Sequence, residues 1–206
     1  MARKFFDPEN NLWSWIGRIP EIVILSVLWV LMSLPVITLI PASIALYDAI
    51  ARCVYGDEGH PYRRFFRTFK SELMRSIGLT VLWALVAFVL GAGYQVLFQL
   101  TQNSSLGILT VVYYFFLAIP VGCFCWLIAI ESRFVYTFGQ LHKTALFFTF
   151  KHLPATVIIT ALGLATFEIC FNMPFFLMLL PGICAYIQSI FVEKVFEKYL
   201  PKQEAE

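Results

Sequence analysis

The chain has 206 residues, 60% of them hydrophobic and only 14% charged, with a net charge of +2. A soluble domain of this length needs more polar surface, so a fold surrounded by water is excluded. The mean hydropathy of +0.77 points to one small polytopic membrane domain, with too little polar sequence for a sizeable soluble one.

The fold expected is an all-α membrane bundle of five hydrophobic segments: a proline-broken N-terminal segment, then two transmembrane hairpins. Residues 1–19 mix Phe5, Phe6, Trp13 and Trp15 with charges. They are too polar to span and are expected to lie at the bilayer interface, where indole rings favour the headgroup zone. Arg3 and Lys4 precede no small-residue cleavage site, so the first apolar run is expected to be retained. The segment over 20–55 starts at Pro20, a residue suited to the first turn of a helix. Pro35 and Pro41 interrupt it, each removing a backbone donor. Between them lies Thr38, placed to satisfy freed carbonyls in a link that must face protein or water. Asp48 and Arg52 follow on one helical face at i,i+4.

Residues 56–75 and 133–152 are basic, Phe-rich connectors. After each comes a hairpin, over 77–131 and 153–192, with spans predicted at 77–98, 106–130, 153–171 and 174–192. Pro120 is expected to kink the second of these, and Gly91 with Gly93 to permit close helix approach. Residues 193–206 read as a cytoplasmic tail. FFRTFK at 65–70 is echoed by FFTFK at 147–151, each on the approach to a span.

Lys and Arg cluster in residues 3–18, 52–75, 133–151 and 194–202, while the connectors around 99–106 and 172–174 carry none. Basic loops stay cytoplasmic. If 20–40 crosses once, five spans result and the N-terminus lies outside. If 20–55 forms a hairpin, re-entrant or crossing, both termini and all the basic clusters fall on the cytoplasmic side of the cell membrane. The charge rule favours the hairpin.

Little here resembles reaction chemistry. No catalytic, cofactor-binding or metal-ligating set is read, and the five cysteines show no CxxC or Cys/His spacing. His60, His142 and His152 have no partner at ligand spacing. The Phe residues interleaved with the basic connectors lead into spans, so their partner is expected to be the lipid bilayer and not nucleic acid. Burying charge in hydrocarbon is costly, which makes Asp48, Arg52 and Glu168 the candidate functional residues, with Pro35, Thr38 and Pro41 as the structural break. Gln95 and Gln99 lie near the outer end of their span, and Glu131 and Gln99 read as interfacial.

LWVLMSLPVITLIPASIALYDAI resembles the N-terminal signature of the YesL-like family of bacterial membrane proteins, a domain of unknown function. The shared element is Leu34, Pro35, Thr38, Pro41 and Ala42; Ile40 stands where the family has Gly. FFRTFKSELMRS, ESRFVYTFGQLHKTALFFTFKHLPATV and LPGICAYIQSIFVEKVFEKYL resemble later parts of the same family, so the likeness covers nearly the whole chain. It implies about five transmembrane helices and an association with carbohydrate uptake by ABC transporters, and it supplies no catalytic residues. The expectation is therefore a non-enzymatic accessory or scaffold partner of a membrane complex such as a sugar ABC permease. The alternative is a small transporter or channel using Asp48, Arg52 and Glu168. A membrane enzyme lacks its constellation, and homo-oligomerisation is left open.

Overall fold

In the computed structural model, residues 8–56, 59–101, 107–134 and 136–199 are described; the first seven residues of the expected interfacial segment and the tail from 200 onward lie outside them. The regular structure among them is helical: α1 (Pro8–Ser33), α2 (Leu39–Ala49, extended by a π-helical turn, Ile50–Tyr55), α3 (Pro61–Glu72), α4 (Ile77–Thr101), α5 (Gly107–Arg133), α6 (Phe138–Lys151), α7 (Leu153–Asn172) and α8 (Leu180–Phe196). Among the described residues, four stretches are long and apolar enough to cross a membrane: Val36–Tyr55, Ile77–Leu97, Val112–Arg133 and Leu153–Asn172.

The break expected after Leu31 is present and narrower than the two prolines suggested. Pro35 is extended (φ −74°, ψ 119°), and a single 3-10 turn, Val36–Thr38, reverses the chain. Thr38 Oγ1 donates to the carbonyls of Met32 (2.5 Å) and Pro35 (2.7 Å), the backbone role the sequence assigned to it. Pro41 does not break anything: it sits in the first turn of α2, where a missing N–H leaves no bond unmade. After the reversal α2 returns along α1, with Trp29 Nε1 donating to Ser43 Oγ at 3.1 Å and Ile22 and Leu25 packed among Ala45, Leu46, Ala49 and Ile50. The 20–55 segment is thus a helical hairpin.

Two boundaries are corrected. Pro20 lies inside α1, whose helix starts at Pro8, because one missing bond is cheaper than unravelling flanking turns. Pro120 lies inside α5, within the span that the sequence placed it in. The last predicted span opens as a 3-10 turn, Pro174–Met178, and becomes α-helical only at Leu180. The helix then runs past Val192, and Phe196 is fully buried, so this part of the expected tail belongs to the core.

Both connectors fold as helices. In α3, Pro61, Tyr62, Phe65 and Phe69 recur every three or four residues and turn inward, while Arg63, Arg67 and Lys70 face out. α6 begins with a capping box in which Thr137 and Gln140 satisfy each other's backbone, then buries Leu141, Ala145 and Phe148. The echoed Thr-Phe-Lys motifs therefore share a helical setting, with Phe65 and Phe148 buried just ahead of them.

Close approach between helices depends on Gly182 and Gly122 as well as on one of the two glycines expected. A Cβ on Gly182 would sit 2.3 Å from Ser26 Oγ and 2.8 Å from the Ile22 carbonyl, so α1 and α8 touch backbone to backbone there. A Cβ on Gly122 would sit 2.7 Å from Thr160 Oγ1, which fixes the α5–α7 crossing. Gly93 does meet Tyr113 of α5 at 3.0 Å, whereas Gly91 faces open space.

Candidate functional site

Asp48 is the centre of the most constrained polar cluster. α2 carries it into the interior, where its side chain is 2% exposed. Arg52, one turn later, reaches it at 3.1 Å. α3 folds back across α2 and supplies a two-pronged contact: Arg64 Nε donates to Oδ2 at 2.7 Å and Nη2 to Oδ1 at 3.1 Å. Thr68 Oγ1 adds a third donor, 2.6 Å from Oδ2. The carboxylate is thus clamped by two guanidiniums and a hydroxyl, the arrangement in which a buried charge is tolerated.

Three further ion pairs extend the layer. Arg75, between α3 and α4, reaches Glu131 of α5 at 3.1 Å and Glu72 at 3.8 Å, and donates to the Tyr136 carbonyl at 2.6 Å. Burial pushes the Glu72 carboxyl above its usual range, with Arg75 opposing that shift. Arg133 of α5 pairs with Glu193 of α8 at 2.7 Å. Four carboxylates (Asp48, Glu72, Glu131, Glu193) meet four guanidiniums (Arg52, Arg64, Arg75, Arg133), and together they tie α2, α3, α5 and α8 into one end of the bundle.

Of the sequence-predicted residues, Asp48 and Arg52 are brought together here. Pro35, Thr38 and Pro41 lie at the opposite end of α2, at the hairpin turn, where Leu34 and Val36 are exposed. Glu168 joins neither group: it is exposed near the end of α7 and accepts from Asn172 Nδ2 at 3.1 Å. Glu131, read as interfacial, is a buried member of the layer. Arg64, Thr68, Arg75 and Glu193 were missed. Only the three-to-four-residue spacing of inward residues in α3 signalled that Arg64 and Thr68 share its buried face.

The chemistry available is pairing. The five cysteines are free thiols, and among the described residues no group of three or more His, Cys, Asp or Glu could hold a metal ion. The layer neutralises charge between helices, and its arginines are only partly exposed, which confines it to the inside of the protein.

Comparison with known proteins bears out the sequence resemblance. A family model described as "Protein of unknown function, DUF624" matches residues 22–94, the stretch that contains the hairpin, the Asp48 clamp and most of α4. The uncharacterized protein YesL of Bacillus subtilis (strain 168) is 24% identical over 201 residues, covering 96% of this chain and 93% of that protein. No solved structure matches.

Proposed function

We propose that this YesL-like chain is a non-enzymatic accessory or scaffold protein of the cell membrane, packing through its apolar helices against an integral membrane partner. A permease of a carbohydrate ABC transporter is the kind of partner meant. The observation that carries the reading is an asymmetry of burial. Only 11% of the apolar part of α4 and 22% of that of α7 are buried inside the chain, while the charged layer is turned inward and each of its guanidiniums pairs with a carboxylate of the same chain. A protein whose buried charge holds its own helices together offers its membrane neighbours an apolar face. On α4 that face includes Val81, Leu85, Phe88 and Val89, with Gly91 open beside them. Small residues on such a face let a second helix approach closely, and packing drives helix association where lipid is the solvent.

In this reading both termini and the 56–75 and 133–152 regions are cytoplasmic. The basic outer faces of α3 and α6 meet anionic lipid headgroups there, and the protein uses no nucleic acid and no cofactor. The transporter alternative draws less support. Asp48 and Arg52 are locked by Arg64 and Thr68, and Glu168 has its own partner in Asn172.

Affinity purification of the native protein in mild detergent tests the proposal. A stoichiometric permease is expected to copurify and to be lost from Phe88→Lys, while membrane insertion persists. A chain recovered alone from every mild detergent tried would refute it. Single cysteines at Glu9 and Asn103, in a cysteine-free background, test the orientation: only Asn103→Cys should label from outside.

A further inference from the structure

Between the start of α4, the end of α5 and the start of α6 lies a cavity of about 50 Å³. Arg75, Ser76 and Glu131 form its polar wall, and Tyr136 and Phe138 line its other side. A single water needs only about 10–15 Å³ of such space, so the cavity takes a group of several heavy atoms.

Its polar wall is incompletely satisfied. The Glu131 side chain is 3% exposed; Oε1 takes Arg75, and Oε2 has no hydrogen-bond partner in the protein. Ser76 is 1% exposed, and its Oγ also has none. The pairing is uneven in the same sense: Arg75 is shared between Glu131 and Glu72, and Glu72 Oε2 also has no hydrogen-bond partner, so two carboxyl groups here face one guanidinium. Leaving a buried carboxylate oxygen unmatched is costly, and the remedy is a donor that brings positive charge.

The wall selects among cations. A divalent metal would draw on three or more carboxylate, thiolate or imidazole ligands, and among the described residues no such group exists. Aromatic rings at Tyr136 and Phe138 instead suit an organic cation, which an aromatic face attracts. We propose that this cavity binds a primary ammonium group, which donates to Glu131 Oε2 and Ser76 Oγ and is covered by the two rings. The cavity lies at the basic end of the bundle, so the ammonium can belong to the ethanolamine headgroup of a lipid or to a free small amine.

Thermal unfolding of the whole protein, followed by tryptophan fluorescence, separates these. One arm compares nanodiscs of phosphatidylcholine with nanodiscs that also contain phosphatidylethanolamine. The other titrates detergent-solubilised protein with ethanolamine hydrochloride against equal NaCl and KCl. A higher midpoint in phosphatidylethanolamine discs alone identifies the lipid; a saturable rise with ethanolamine identifies a free amine as sufficient. Either rise should disappear in Glu131→Gln. Phe138→Ala, at a half-exposed residue that leaves the Arg75–Glu131 pair intact, should weaken the response about fivefold. The proposal is overturned if neither arm raises the midpoint, if NaCl or KCl raises it equally, or if Phe138→Ala and Glu131→Gln both respond like the parent.

Discussion

Asp48→Asn keeps the shape of the side chain and removes the charge that Arg52 and Arg64 both pair with. Breaking a buried pair costs about 3–5 kcal/mol. Here the two guanidiniums are 26% and 22% exposed and can turn partly toward solvent, which puts the expectation at the lower end, about 3 kcal/mol. For a chain of this size that corresponds to a drop of about 6–12 °C in the unfolding midpoint. The informative experiment is a series in detergent, read by tryptophan fluorescence. Adding Arg64→Met to Asp48→Asn should recover part of the loss, and adding Arg52→Met should recover most of it, because an apolar replacement of a whole buried ionic group is tolerated far better than half of one. If each added substitution instead lowers the midpoint further, the clamp is not a matched, buried unit and the reasoning fails.

Gly182→Ala should force α1 and α8 apart and cost about 1–3 kcal/mol in the same assay; Ser26→Ala should rescue it only in part, since the Ile22 carbonyl still stands 2.8 Å from the new methyl. Thr38→Val deprives the carbonyls of Met32 and Pro35 of their shared donor, and a loss of about 1 kcal/mol is expected, with helix content by circular dichroism unchanged. Burial, with Lys151 and Lys198 adding to it, holds His152 below its ordinary 6.5. The folded state therefore binds fewer protons than the unfolded one. Stability that is full above about pH 6.5 is lost as pH falls through the lowered folded value, so unfolding midpoints of parent and His152→Gln should diverge from neutral pH toward pH 5.

Residue patterns alone determined the all-helical class and the order of the long apolar segments, because run length and hydropathy are local quantities. The reversal at Pro35 and the Asp48–Arg52 pair were legible for the same reason: one depends on a single ring, the other on a spacing of four within one helix. The periodicity of α3 and the Thr137–Gln140 capping box were also on the page, although the connectors read more readily as interfacial loops.

Only the tertiary structure decided what completes each site. Arg64 lies 16 residues from Asp48, Arg133 60 from Glu193, and Ser26 156 from Gly182. Nothing in the intervening sequence encodes those distances, since they follow from which helix faces pack together. The same packing settled the misplaced features. Pro20 stayed within α1 because the turns on either side keep their own bonds. Glu131 and Glu168, both acids near helix ends, parted company because the connection between α3 and α4 brings Arg75 across to the first, whereas the second pairs with Asn172 on its own helix. A charge in an apolar chain is costly wherever it lies, and which partner relieves it is a property of the fold.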